Sequence, residues 1–199
     1  MDSKIVAAFD FDGTLTRKDT FVQFAMHSVG LRRFLAACAL CSLRLVLWKL
    51  HLCKGGDVKE RIFRRLYKGM SVNRFREFCA SFVPLIESAT NEDIVERLNW
   101  HIHCGHTVCI VSASVPEWIV PWAEKHGVLR ENVIGTDIGI DDEGFLTGNF
   151  LSLNCTGEEK VKRLREVVDG LDKAILYAYG NSSGDRPLLN ISDYPTYIG

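Results

Sequence analysis

The stretch Lys4-Ile5-Val6-Ala7-Ala8-Phe9-Asp10-Phe11-Asp12-Gly13-Thr14-Leu15-Thr16 decides the fold. Its first half is a short apolar run bounded by charge, which reads as a buried strand. Two carboxylates, Asp10 and Asp12, follow where that strand gives way to a Gly-containing turn. Carboxylates at the C-terminal end of a strand in an α/β sheet face the crevice where such folds bind ligands. Residues two apart in an extended segment project to the same side, so Asp10 and Asp12 converge on one small volume. Carboxylates that close repel and need a cation or a shared proton. Mg²⁺, a hard ion that takes oxygen ligands, meets that need, above all when a substrate brings phosphate oxygens. An Asp-Gly turn after a strand is common in itself. Strand, D-x-D-G-T and a following apolar residue together are far more specific.

D-F-D-G-T-L-T resembles the first motif of the haloacid dehalogenase superfamily, whose usual members are Mg²⁺-dependent phosphatases. The resemblance implies that Asp10 attacks phosphorus and becomes an aspartyl phosphate. It implies that Asp12 protonates the leaving oxygen and then activates the hydrolytic water. The chemistry is sound on its own terms. A covalent intermediate splits one hard displacement into two easier ones, and a residue that has donated a proton is ready to accept another.

The 199 residues suffice for one domain, or one domain with a modest insertion. With 47% hydrophobic and 25% charged residues the composition is that of a globular protein with a sizeable core. The net charge of −1 gives no reason to expect a nucleic-acid partner. Seven cysteines, an odd number scattered through apolar segments, fit small buried hydrophobes in a reducing compartment better than a disulfide framework. No apolar leader with a cleavage pattern precedes the first strand, so a cytoplasmic location is expected.

Charge is unevenly spread. From Leu31 to Arg76 there are 12 Lys or Arg against Asp57 and Glu60, a formal +10 that leaves −11 for the rest. Residues 17 to about 88 show helical spacing and no strand pattern, and include the uncharged run Phe34 to Leu43, too short to span a bilayer. Cys38 and Cys41 have C-x-x-C spacing inside that run and read as core. Lys54 to Asp57 reads as a loop with Asp57 capping a basic helix. Its cations make either a solvated face or a basic cover over an anionic site, or a surface for anionic lipid.

From Asn91 helix and strand alternate. Thr107 to Val111 is a β-rich run that delivers Ser112-Ala113-Ser114 to its C-terminal end, and Pro116 opens the next helix. The superfamily's second motif is such a strand ending in Ser or Thr that binds the transferring phosphoryl group; Ser112 matches it, while by itself it reads as a helix cap. His101, His103 and His106 match no metal spacing and read as surface histidines in a helix-to-strand turn. Asn132 to Thr136 is a third strand, and Phe145 to Gly148 a short return strand after an acidic turn. A helix opening at Thr156 carries Lys160, which matches the third motif, a lysine that neutralises the nucleophile and the phosphoryl charge; Lys162 is the runner-up. Ala174 to Tyr179 is a fourth strand. The Gly180-Asn181-Ser182-Ser183-Gly184-Asp185 that follows resembles the fourth motif, G-D-x-x-x-D, with Asn181 in the first acidic place. Asn offers a metal an oxygen without charge, so affinity should be lower. A short helix near Leu188 and a last strand, Tyr194 to Tyr197, complete the chain.

The order of the four motifs implies an α/β fold, a doubly wound parallel sheet of Rossmann-like type with a small helical cap. Residues 1–16 and 90–199 form the core and 17–89 the cap, as in the phosphoserine phosphatase-like branch. The expected activity is Mg²⁺-dependent hydrolysis of a small phosphorylated substrate. Asp10, Asp12, Ser112 and Lys160 are the expected catalytic residues, and Asp10, Asp12, Asn181 and Asp185 the metal site. Arg17-Lys18 stand where that branch has an acid for the substrate amine, so serine specificity does not follow. The basic apolar cap is similar to that of phosphatidylglycerophosphate phosphatases, which makes a lipid phosphate at the membrane surface the alternative. A non-catalytic phosphate-binding module is the third reading.

Overall fold

Ile5–Phe9 forms β1, and from Val6 onward it is buried. It lies at the centre of a five-stranded, all-parallel sheet of order β3-β2-β1-β6-β7. The other strands are β2 (Thr107–Val111), β3 (Val133–Ile134), β6 (Ile175–Gly180) and β7 (Tyr194–Tyr197). The computed structural model describes residues 4–41 and 55–199. Registers pair Phe9 with Ile110 on one side and with Tyr179 on the other, so β1, β2 and β6 end at one level. Parallel strands need long crossovers, and the chain supplies helices for them.

Alternation along the strands divides the core in two. Ala7, Phe9, Val108, Ile110 and Tyr179 face one side with α5 (Glu92–His103) and α6 (Pro116–Lys125). Val6, Ala8, Cys109, Val111 and Leu176 face the other with α7 (Glu158–Val167) and α8 (Arg186–Ile191). Apolar residues on both faces explain why these strands are near-continuous hydrophobic runs.

The helical insertion between β1 and α5 contains α1 (Thr20–Val29), α2 (Leu31–Leu40), α3 (Gly55–Tyr67) and α4 (Val72–Ser88). The chain leaves and re-enters the core side by side, with Arg17 N–H donating to the Ala89 carbonyl and Asn91 N–H to that of Leu15. Phe24, Phe75 and Trp118 cluster where α1 and α4 meet α6, so insertion and sheet layer share one hydrophobic core. The return strand β5 (Leu146–Phe150) pairs antiparallel with β4 (Ile138–Ile140), a partner absent from the sequence reading. This hairpin bonds to the insertion through Gly69 N–H to the Leu146 carbonyl and Leu146 N–H to that of Met70.

Three local expectations are corrected. Helix α3 begins at Gly55, so Asp57 lies in its first turn, where its charge favours the helix dipole, rather than in a preceding loop. His101 is fully buried, because the last turn of α5 faces the aromatic surface of β6. Cys104 is exposed, whereas Cys41, Cys79, Cys109 and Cys155 are buried and free as expected. Cys53, Arg44, Lys49, Lys54 and the end of the apolar run beyond Cys41 lie outside the described residues.

Candidate active site

Asp10 follows β1 directly and is held at the sheet end by its N–H, which donates to the Tyr179 carbonyl at 2.9 Å. Phe11 turns the opposite way, fully buried against Trp122, which sends the flanking carboxylates toward the crevice. The turn closes with Thr14 and Thr16 N–H donating to the Phe11 carbonyl. Gly13 has φ +84°, and a Cβ there would lie 2.1 Å from the Asn181 side chain, so only glycine fits. That contact brings the loops after β1 and β6 together.

Asp10 is buried. Its Oδ1 accepts from Lys160 Nζ at 2.6 Å and its Oδ2 from Thr14 Oγ1 at 3.1 Å. Lys160, also buried, sits in the first turn of α7 and donates equally to Asp185 Oδ1 at 2.6 Å. The other Asp185 oxygen accepts from Asn181 N–H, Ser182 N–H and Ser182 Oγ. Asp185, expected as a metal ligand, also anchors Lys160 and its own loop. Lys162, the runner-up, is exposed and pairs with Glu166.

Asp12 has a separate donor set. Its Oδ1 accepts from Thr20 N–H at 2.7 Å and Thr20 Oγ1 at 2.6 Å, and its Oδ2 from Ser114 Oγ at 2.5 Å. Thr20 is the first residue of α1, so the carboxylate also rests on a helix N-terminus. Trp118 Nε1 donates to Thr20 Oγ1 and fixes it in turn.

Ser112 is buried, and its Oγ accepts from Ser114 N–H at 3.0 Å, shaping the loop after β2. It does not cap α6, whose N-cap is Val115. Thr136 clamps the same loop, its N–H donating to the Ser114 carbonyl and its Oγ1 to that of Ala113. At Gly135 a Cβ would come within 2.5 Å of the Ser114 carbonyl oxygen, so the close approach needs glycine. Ser114 and Thr20, the direct partners of Asp12, were missed by the sequence reading. Ser114 had a faint signal, lying two residues past Ser112 at the same strand end. Thr20 had none, because its contact depends on where α1 returns.

Two carboxylates, Asp10 and Asp185, share one ammonium, Lys160, and Asp12 lies two residues from Asp10 on its own donors. Burial pushes Asp10 up to about 6 against the pull of Lys160, with Asp185 and Asp12 adding to the rise. For Lys160 burial works against the charged form, but Asp10 and Asp185 overcome it and hold the ammonium charged. Asp185 is likewise burdened by burial and is held low by Lys160 and its Ser182 donors. The excess negative charge fits a divalent cation. Among the described residues no three His, Cys, Asp or Glu form a metal cluster. Oxygens with lone pairs left to serve one include those of Asp10, Asp12 Oδ2 and the Asn181 side-chain carbonyl.

Residues 7–190 match the model of the haloacid dehalogenase-like hydrolase family. The chain is 34% identical over 197 residues to Protein CicA of Caulobacter vibrioides (strain NA1000 / CB15N), covering 97% of this chain and 85% of that protein. Its fold is similar to a Bordetella pertussis Tohama I protein of unknown function, with TM-score 0.77, 23% identity, and 94% and 86% of the two chains covered. A phosphoserine phosphohydrolase-like protein from Francisella tularensis subsp. tularensis SCHU S4 gives TM-score 0.65 at 19% identity over 98% and 86%.

Proposed function

Because this chain belongs to the haloacid dehalogenase-like hydrolase family, we propose that it is a Mg²⁺-dependent phosphomonoester hydrolase with Asp10 as nucleophile. An Asp10 oxygen attacks phosphorus, the ester P–O bond breaks, and the leaving alkoxide takes a proton from Asp12. Asp12 then removes a proton from water, whose oxygen attacks the aspartyl phosphate and releases inorganic phosphate with Asp10 regenerated. Lys160 holds Asp10 in place and offsets charge on the phosphoryl group. Ser112 supports the loop that faces the same group. Asp10, Asp12 and Asn181 would hold Mg²⁺, with Asp185 beside them anchoring Lys160. Bound Mg²⁺ would neutralise the carboxylate excess and polarise the phosphoryl oxygens. Residues 17–89 act as a cap over this site, and 1–16 with 90–199 as the catalytic core.

The observation that carries the reading is the contrast in donors at the two carboxylates. Asp10 is clamped by an ammonium and a hydroxyl, as suits an oriented nucleophile, whereas Asp12 is held by hydroxyls and one amide. The test is hydrolysis of p-nitrophenyl phosphate with and without Mg²⁺. Asp10→Asn should lose nearly all turnover, because an amide is a poor nucleophile. Asp12→Asn should be slowed most with alkyl esters, whose leaving group needs protonation. Ordinary turnover by Asp10→Asn would overturn the assignment.

A lipid-type phosphate ester is the second reading, favoured by one surface. Helix α2 exposes Leu31, Leu35 and Leu40 beside the exposed Arg32 and Arg33. No helix among the described residues is long and apolar enough to cross a membrane. Such a face suits peripheral contact with an anionic leaflet. Co-sedimentation with anionic but not neutral vesicles is expected on this reading, and sedimentation with neither rejects it.

A further inference from the structure

Helix α3 sends most of its cations into solvent: Arg61, Arg64 and Arg65 are exposed. Lys59 differs. It is half-buried, and its Nζ donates to the Ala113 carbonyl at 3.2 Å and to Ser114 Oγ at 3.4 Å. The same ammonium lies 5.1 Å from the centre of the Phe21 ring. Among the described residues no carboxylate lies within ion-pairing distance of it; the ion pairs of the insertion join Arg64 to Glu60, Arg74 to Glu77, and Glu87 to Lys125 and His126 of the core. A long flexible side chain has been turned inward, away from water, onto neutral acceptors at long range. Ordinary surface energetics would let it extend into solvent.

The charges next to it supply the reason. Ser114, which accepts from Lys59, donates to Asp12. Beyond it lie Asp10, Asp12 and Asp185 with Lys160 between two of them. A phosphate monoester then arrives as a dianion into a buried site whose lysine already serves two carboxylates. One ammonium without an acid of its own stands a single hydroxyl away from Asp12, on the far wall of the site.

We infer that Lys59 is the insertion's own phosphate ligand, exchanging the Ala113 carbonyl and Ser114 hydroxyl for phosphoryl oxygens when substrate enters. This rests on the phosphatase reading above and adds a binding residue to it. The exchange improves each partner: the ammonium trades neutral acceptors for anionic ones, which make stronger hydrogen bonds. It also bridges α3 of the insertion to a ligand seated in the core, so that bound phosphate itself draws the helical layer over the sheet end. The cation–π contact with Phe21 keeps the Lys59 stem aligned for that reach.

The experiment is calorimetric titration of inorganic phosphate into wild type, Lys59→Gln, Lys59→Arg and Arg61→Gln, at fixed ionic strength with saturating Mg²⁺ and again without it. Lys59→Gln should bind phosphate about ten- to a hundred-fold more weakly, the effect of losing a charged hydrogen bond. Lys59→Arg should restore most of the affinity, and Arg61→Gln, on the exposed face of the same helix, should match wild type. With p-nitrophenyl phosphate, Lys59→Gln should raise KM by more than it lowers kcat. Unchanged phosphate affinity in a folded Lys59→Gln, or no phosphate binding by wild type, would overturn the inference. Wild type that binds phosphate through Lys59 yet hydrolyses no ester would instead overturn the phosphatase reading and leave this ligand standing.

Discussion

Two buried polar clusters flank strand β6, and they differ in kind. At its C-terminal end Lys160 joins Asp10 and Asp185 in a charged set. On the face toward α5, His101 Nδ1 lies 2.8 Å from His106 Nδ1 and His101 Nε2 lies 3.0 Å from Tyr179 Oη, a set of imidazoles and a phenol rather than an ion pair. Burial, with His106 and Arg97 close by, pulls His101 down to about 4, so the ring stays neutral near pH 7. Phe9 stacks on Tyr179 at 4.3 Å within the core, and at the edge of the sheet the half-buried Tyr177 stacks on the exposed Tyr194 at 4.4 Å. Burying a charged set costs desolvation that a well-packed apolar one would not incur. A charged set kept in spite of that cost is what the proposed chemistry would need, whereas the His101 set lies against the aromatic face of β6.

The largest expected effect is at the charged set. Lys160→Met leaves two buried carboxylates without a counter-ion and should cost about 3–5 kcal/mol. The loss should be greater at pH 8 than at pH 5, where Asp10 can take up a proton. Chemical denaturation in EDTA at both pH values measures it, and a loss below about 1 kcal/mol would make the two clusters alike.

At the neutral set the sign reverses. His101 has a folded pKa near 4 against an ordinary value of 6.5, so the unfolded chain binds the proton more readily. Its contribution is present above pH 6.5 and is lost as the pH falls toward 4, by about 2–3 kcal/mol. His101→Phe should flatten that limb of the stability profile while leaving turnover of p-nitrophenyl phosphate unchanged. A slope that persists in the variant would assign the titration to another group.

Ser114→Ala sharpens the comparison within the active site. It removes the Oδ2 donor of Asp12 and should cost about 1 kcal/mol of stability. Slow-leaving alkyl esters should suffer more than aryl ones, since the positioning of the acid is what is lost; an equal effect on both would make Ser114 merely structural. Asn181→Asp is the smallest change. It adds a fourth carboxylate, so the melting temperature should fall in EDTA and rise more steeply with Mg²⁺, with half-activation at several-fold lower Mg²⁺. An unaltered Mg²⁺ response would place Asn181 outside the coordination shell.

What could be read from the sequence was what lies close in the chain. The strand Ile5–Phe9, the turn at Gly13 and the carboxylates between them are contiguous, and the alternating strands and helices after Asn91 carry their own periodicity. Lys160 could be found because it sits in a helix's first turn, although its burial between two aspartates is tertiary. The burial of His101 was hidden, because a helix-to-strand turn is usually exposed and the covering tyrosines come some 75 residues later. Lys59 read as one of many cations on a basic helix. Only the packing of α3 over the β2–α6 loop distinguishes it from Arg61, two residues away.

Asp10 as the nucleophile is the role on which the proposed mechanism turns. Wild type should be mixed with a ³²P-labelled phosphate ester and Mg²⁺, quenched in acid within the first turnover, digested and mapped by mass spectrometry. Label should appear on the peptide containing Asp10, be discharged by hydroxylamine, and be absent from Asp10→Asn. Steady-state hydrolysis with no protein-bound label, or label that maps to another residue, would contradict it.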